Sequence, residues 1–243
     1  MKRSAWRASL CAGALSAFAA IPALAGTVTF DDLSPNLFVG GDTFMSGGFT
    51  FQMTSGAALP VLGEQGGFGI VDTAASLSLF SNAPTGNSTQ FYAGLNDNAI
   101  TLTGSTPVIS VSGFDFAFVP PVVAPGASSG YLLAAAWVDE VGVFGVNFYD
   151  FGLADRNGNW AFITANTAAP TSGAAMPTFV RAVTFLACSV QGNQCFWPSN
   201  NQGQFAIDNI NVQLPLPGTL LLAGLGVVGL AVARRRTAAA SAC

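Results

Sequence analysis

The chain of 243 residues carries twelve acidic side chains, four cysteines and no histidine, and that combination decides which chemistry is open to it. Without histidine, Ser-His-Asp and Cys-His nucleophilic machinery and His-containing metal motifs are excluded. No phosphate loop or dinucleotide fingerprint is present. Glycoside hydrolysis needs only two carboxylates at a suitable separation, so it stays open in principle. Asp139 and Glu140 are neighbours, however, and in a strand neighbours point to opposite faces. They read as a solvated turn. Glu64 lies in the glycine-rich "GEQGGFG" and reads as exposed. The chain is expected not to be an enzyme; an extracellular glycoside hydrolase using paired carboxylates is the alternative.

Two acidic groupings have spacing relevant to calcium. Asp155, Asn157 and Asn159 follow the first positions of a calcium loop, but Trp160 and Asn166 stand where such a loop needs glycine and an acid. Asn157-Gly158 is instead the favoured two-residue hairpin turn. Asp31 and Asp32 in "TFDDL" and Asp208 in "QFAIDNI" sit in the first and last expected strands. If those strands are neighbours, the three carboxylates are candidate ligands for a structural calcium, which takes six to eight oxygens. The alternative is metal-free: Asp31 and Asp32 end a strand, and Asp208 accepts backbone hydrogen bonds at a bulge. Cys188 and Cys195 flank six residues, "SVQGNQ". In an oxidising compartment they are expected to form a disulfide, worth about 2–3 kcal/mol on loop-closure grounds. Cys11 lies inside the N-terminal apolar run and leaves with it.

The elements that must position these groups are strands. "GFTFQM" puts Phe49, Phe51 and Met53 on one face, "AITLTG" does the same with Ile100 and Leu102, and "TFVRAVTFLAC" with Phe179, Val183 and Phe185. "YLLAAAW" and "VGVFGVNFYDF" read as two buried strands joined at Asp139-Glu140. Apolar parity switches at Ser112-Gly113 in "VISVSGFDFAFV" and at Asp208-Asn209 in "QFAIDNINV", which predicts β-bulges. "PPVVAPGASSG" and "NTAAPTSGAAMP" read as surface loops. Many short strands with no long helix predict an all-β, antiparallel β-sandwich of jelly-roll type over residues 26–213. Tyr92, Trp160 and Trp197 are the aromatics considered for stacking on sugar rings.

Charge is distributed unevenly. All twelve acids fall in residues 26–213, against only Arg156 and Arg181, which leaves that stretch at a formal −10. Nucleic acid is excluded as a partner because binding it depends on Lys and Arg neutralising phosphates. Such a surface attracts cations.

The two ends carry apolar segments. Lys2, Arg3 and Arg7 precede an apolar run closing on "ALAG", the layout of a secretory signal peptide over residues 1–25, with cleavage between Ala25 and Gly26. Near the C-terminus, Thr219 to Ala233 are fifteen uncharged residues, short of the roughly 20 that span a bilayer comfortably. Arg234, Arg235 and Arg236 follow, and such a cluster stays cytoplasmic, with residues 237–243 as a cytoplasmic tail. Pro215 and Pro217 break regular structure before the span.

This order of proline motif, short Gly/Leu-rich span and arginine cluster, over residues 214–236, resembles the PEP-CTERM sorting signal of Gram-negative bacteria. Pro215, Leu216, Pro217, Gly218 and Thr219 stand where the namesake motif has Pro-Glu-Pro. The resemblance implies export across the inner membrane, recognition and cleavage by an exosortase near Pro215–Thr219, and a final place at the cell surface or outside the cell. A plain C-terminal membrane anchor is the alternative. "QFAIDNI" also resembles the Gln-Phe-x-x-Asp run of some PEP-CTERM proteins, and with "VTFDDL" it is similar to the terminal strands of lectin and carbohydrate-binding jelly rolls. That implies a surface or biofilm-matrix module contacting exopolysaccharide.

Overall fold

The computed structural model describes residues 25–215 except 55–67, 75–82, 96, 120–129, 139–141, 157, 192–193 and 197–202. Strands are numbered in chain order. One sheet runs β11 (Ile163–Asn166), β8 (Ser110–Phe118), β14 (Phe205–Gln213), β6 (Gln90–Leu95), β5 (Phe68–Thr73) and β2 (Asn36–Val39), with β1 (Ala25–Val28) also on β14. The other runs β10 (Val143–Asp150), β9 (Gly130–Trp137), β12 (Ala182–Gln191), β7 (Ala99–Thr103), β4 (Phe49–Thr54) and β3 (Thr43–Ser46), with β13 (Gln194–Phe196) on β12. The ladders between these strands are antiparallel, and the described residues contain no helix. The described part of the chain is thus all-β with two antiparallel sheets.

Period-two alternation builds the core between them. In β4, Phe49, Phe51 and Met53 are buried while Gln52 is exposed; in β7, Ile100 and Leu102 face inward. Phenylalanine dominates the filling: Phe30 packs on Phe51 at 5.2 Å, and Phe114 meets Phe185 edge-on at 5.1 Å. Offset and edge-to-face ring pairs of this kind add about 0.5–1.5 kcal/mol beyond the area they bury. The run "YLLAAAW" is apolar on both faces because both are buried. Leu132, Ala134 and Ala136 join the central core, while Leu133 and Ala135 join an outer cluster with Leu186.

Both parity switches are real. On β14, Asp208 pairs with Asp115 and Asn211 with Gly113, so β14 carries one extra residue; Ser112 is extra on β8 one step further on. Asn209 takes a left-handed φ of 49°, and Phe205, Ile207, Ile210 and Val212 all reach the core across the switch. Gly113 is required beside it, since a Cβ there would fall 2.7 Å from the Ala165 carbonyl oxygen on β11.

Two sequence expectations fail here. Phe179 is 52% exposed and lies before β12, while Val180 is buried and bridges to Ile109. The apolar phase therefore starts one residue later than the "TFVR" alternation suggests, and Arg181 is exposed. Asn157-Gly158 does not join a two-strand hairpin either, because β10 pairs with β9 and β11 with β8. The segment closes on itself instead: Asp155 N–H donates to the Asn159 carbonyl (2.8 Å), and the Asp155 carboxylate accepts from Asn159 N–H (2.8 Å). Trp160 then turns into the core against Phe118, which draws the chain away from any hairpin partner.

Residues Ala25–Leu214 form one compact unit. The signal peptide before Ala25, the span Thr219–Ala233, the arginine cluster, Glu64, and the Asp139-Glu140 turn lie outside the described residues. Among the described residues no helix is long and apolar enough to cross a membrane.

Candidate functional site

The first and last strands of the domain are neighbours. One edge of β14 is shared by β6, which takes Phe205 to Ile207, and β1, which takes Ile210 to Gln213. Thr27 Oγ1 donates to Asn211 Oδ1 across the β1–β14 ladder (2.8 Å). After β1 the chain turns at Phe30, held at φ 56° with its ring fully buried. That turn delivers Asp31 and Asp32 to different places. The Asp31 carboxylate accepts from Gln90 N–H (3.0 Å) at the start of β6. The Asp32 carboxylate accepts from Ser46 Oγ (2.6 Å) and Gly47 N–H (2.9 Å), closing the β3–β4 turn.

Asp208 is fully buried. Its Oδ2 accepts from Asn87 Nδ2 (2.6 Å) and Thr89 Oγ1 (3.2 Å), while Oδ1 is buried without a well-formed hydrogen bond. Asn87 in turn anchors its own loop, its Oδ1 accepting from Thr89 N–H (2.8 Å), while the single Thr89 hydroxyl proton is shared between Asn87 Oδ1 (2.7 Å) and Asp208 Oδ2 (3.2 Å). Burial pushes the Asp208 carboxyl up to about 6, and the negative charge of Asp31 pushes the same way. Hydrogen bonds from Asn87, the Asn209 backbone and Thr89 hold it lower than burial alone would.

Of the three carboxylates singled out for calcium, Asp31 and Asp208 thus come together and Asp32 does not. Among the described residues no group of three or more His, Cys, Asp or Glu is placed to hold a metal ion. Asp32 is lost because the β3–β4 turn supplies it with two closer donors.

Sequence reasoning missed Asn87 and Thr89, which cover Asp208 from 121 and 119 residues away. The only local signal is the Asn-x-Thr spacing of an Asx turn, common to many loops. The aromatics proposed for sugars fare differently. Tyr92 is fully buried with its hydroxyl donating to Asn98, and Trp160 is core; Trp197 lies outside the described residues.

The outer face of the second sheet offers another surface. Thr43, Gln52, Thr101 and Thr184 are cross-strand partners in one row over β3, β4, β7 and β12. Their sequence neighbours Phe44, Phe51, Leu102 and Val183 point into the core. Thr101 and Thr184 share a hydrogen bond (2.7 Å), and the half-buried Trp137 donates its indole N–H to Thr184 (2.8 Å). Cys188, fully buried near the end of β12, is disulfide-bonded. Cys195 pairs through its backbone with Val190 in the β12–β13 hairpin, and its side chain lies outside the described ones.

Sequence comparison decides the character of the C-terminal end. Residues 213–236 match the PEP-CTERM protein-sorting motif. The motif marks an exported protein of Gram-negative bacteria processed by an exosortase. No curated protein matches the chain. Solved structures give remote likenesses covering 79% of this chain. A DUF4465 family protein from Bacteroides caccae ATCC 43185 is 13% identical, covered over 99% of its length, with a TM-score of 0.48. The Stig cyclase Fisc from Fischerella sp. TAU, in complex with an indole ligand, is 10% identical, covered over 100%, at 0.39. Arabinose-bound MgGH51 α-L-arabinofuranosidase is 13% identical, covered over 26%, at 0.32. At these scores they carry no argument about function.

Proposed function

We propose that this is a surface or extracellular-matrix protein whose jelly-roll-like ectodomain is a non-catalytic module that contacts exopolysaccharide. The sorting motif supplies the address. The observation that carries the ligand is the uncharged row Thr43–Gln52–Thr101, with the half-buried Trp137 held nearby by the buried Thr184, on a domain otherwise rich in acids. Three strands at about 4.8 Å spacing set hydroxyl and amide groups over about 10 Å, the length of about two sugar rings. Hydroxyls and amides hydrogen-bond sugar hydroxyls, and an indole face packs on the apolar face of a pyranose. Affinity electrophoresis of the purified ectodomain in gels containing the producing strain's cell-free exopolysaccharide tests this. Retardation that Trp137→Ala abolishes is expected. Unretarded migration would sink the reading, and release of reducing sugar lost with an Asp→Asn change would replace it with the hydrolase.

The sorting motif supports removal of residues beyond about Pro215–Thr219 in the mature protein. Intact mass of material recovered outside the cell checks this, and a chain still ending at Cys243 would leave a plain anchor. Two further parts of the proposal concern stability. Cys188 and Cys195 are the expected disulfide pair of the β12–β13 hairpin, a link that non-reducing peptide mapping would find. A structural calcium is proposed between Asp31 and Asp208, supported by the orphaned Asp208 Oδ1.

A further inference from the structure

We infer that the ectodomain presents its processing enzyme with a docking surface, the concavity of about 370 Å³ lined by Gly26, Thr27, Ser112, Asn211 and Gln213 among others. The inference rests on the sorting reading and adds what the enzyme touches outside the motif. Gln213 is at once the last residue of β14 and the first residue of the matched motif. Leu214, the next residue, packs on the core, so no linker separates fold from motif. From Gln213 to Thr219 a fully extended chain reaches about 20 Å. A protein gripping Pro215–Thr219 covers a patch of at least that width, since a specific interface takes about 800 Å² from each partner. The end of β14 and its flanking strands must therefore lie against the enzyme.

The chemistry of this pole suits such contact. The domain carries a formal −10, yet the concavity is lined by Gly, Thr, Ser, Asn, Val and Gln, and cleavage before Gly26 leaves that residue's α-ammonium there. A surface free of carboxylates is where this domain approaches an enzyme or an anionic membrane with least repulsion. The concavity is also composite. Gly26 and Thr27 come from the first strand, Ser112 is the extra residue of the β8 bulge, and Asn211 and Gln213 come from the last strand. It exists only once the final strand has been exported and β1 has closed on it. An enzyme that reads it acts on folded, fully translocated protein and passes over incomplete chains.

Pulse-chase of tagged protein in the producing strain, with the C-terminus of the product defined by intact mass, tests the proposal. Asn211→Arg and Ser112→Arg fill the concavity with charge at sites near the motif, and Leu153→Arg adds the same charge at an exposed residue outside both the concavity and the threonine row. Loss of a central interface contact typically exceeds 1.4 kcal/mol, a tenfold effect. Processing of Asn211→Arg and Ser112→Arg about tenfold slower than wild type, with purified ectodomains melting normally and Leu153→Arg processed normally, is expected. Wild-type rates for both concavity variants overturn the docking surface, as does equal slowing of all three. Wild-type protein that itself retains Cys243 overturns the sorting reading beneath it, an outcome distinct from either.

Discussion

Asp208 and Asp115 face each other across the β14–β8 ladder, the same residue type at the same step of the same sheet, yet they live differently. Asp115 is half-buried, and both its oxygens are used: Thr164 Oγ1 donates to one (2.6 Å) and Asn209 Nδ2 to the other (2.8 Å). Asp208 is fully buried under the Asn87–Thr89 loop, with one oxygen served twice and the other orphaned. Ladder position is shared, so it does not set the difference. The difference lies in what covers each carboxylate, and a loop from far along the chain decides that. The domain tolerates the strained member at the place where its first and last strands meet.

The largest effect expected from disturbing this contrast comes from removing the cover's donor. Asn87→Ala leaves the buried Asp208 carboxylate with one side-chain partner, Thr89, and unpins the loop that supplies it. A loss of about 2 kcal/mol at pH 8 is expected by urea unfolding, in line with the cost of leaving a buried charged acceptor unpaired. Loss below about 0.5 kcal/mol would mean that water already serves this oxygen.

Next in size is the carboxylate itself. The Asp208 carboxyl, near 3.8 when unfolded, is raised to about 6 in the fold. Between those values the folded protein holds a proton that the unfolded chain has released, so stability falls as pH rises from about 4 to about 6 and then levels. A rise of about two units corresponds to about 3 kcal/mol at most. Asp208→Asn should therefore stabilise the domain above pH 6, by about 2 kcal/mol once weakened hydrogen bonds are allowed for, and flatten that slope. The measurement is a set of melts from pH 4 to 8 with chelator present. Asp115→Asn is the control on the other side of the ladder. It trades one fully partnered acceptor for a poorer one, and a loss of about 1 kcal/mol with the slope intact is expected. Identical pH profiles for the two variants would end the contrast.

What the sequence could reveal follows the range of each interaction. Period-two alternation and both parity switches are local, and they were readable in "GFTFQM", "VISVSGFDFAFV" and "QFAIDNINV". The meeting of Asp31 with Asp208 was reachable because terminal strands often pair. The rest depends on contacts that no spacing encodes. Ser46 and Gly47 claim Asp32, and Asn87 and Thr89 cover Asp208. The row of Thr43, Gln52, Thr101 and Thr184 was invisible, because outward-facing polar residues look alike in every strand until register aligns them. Asn157-Gly158 carried a strong hairpin signal, which was overridden by the burial of Trp160.

An effect smaller than that of Asp208→Asn tells a proton from a metal ion as the answer to Asp208. A divalent cation reaching Asp31 and the orphaned Asp208 oxygen competes with the proton that the site binds below about pH 6. Its stabilisation must therefore appear above that value and vanish below it. An ion at ten times its dissociation constant adds about 1.4 kcal/mol by mass action, a rise of roughly 3–6 °C for a domain of this size. Melts at pH 7.5 and pH 5, with 1 mM calcium or with chelator, should show the rise only at the higher pH and only while Asp208 is present. Asp32→Asn should leave the rise intact, since that carboxylate is spent on the β3–β4 turn. A melting temperature indifferent to calcium at both pH values would mean that the corner manages its charge with a proton alone. The orphaned oxygen would then be a cost carried by the fold and not a ligand.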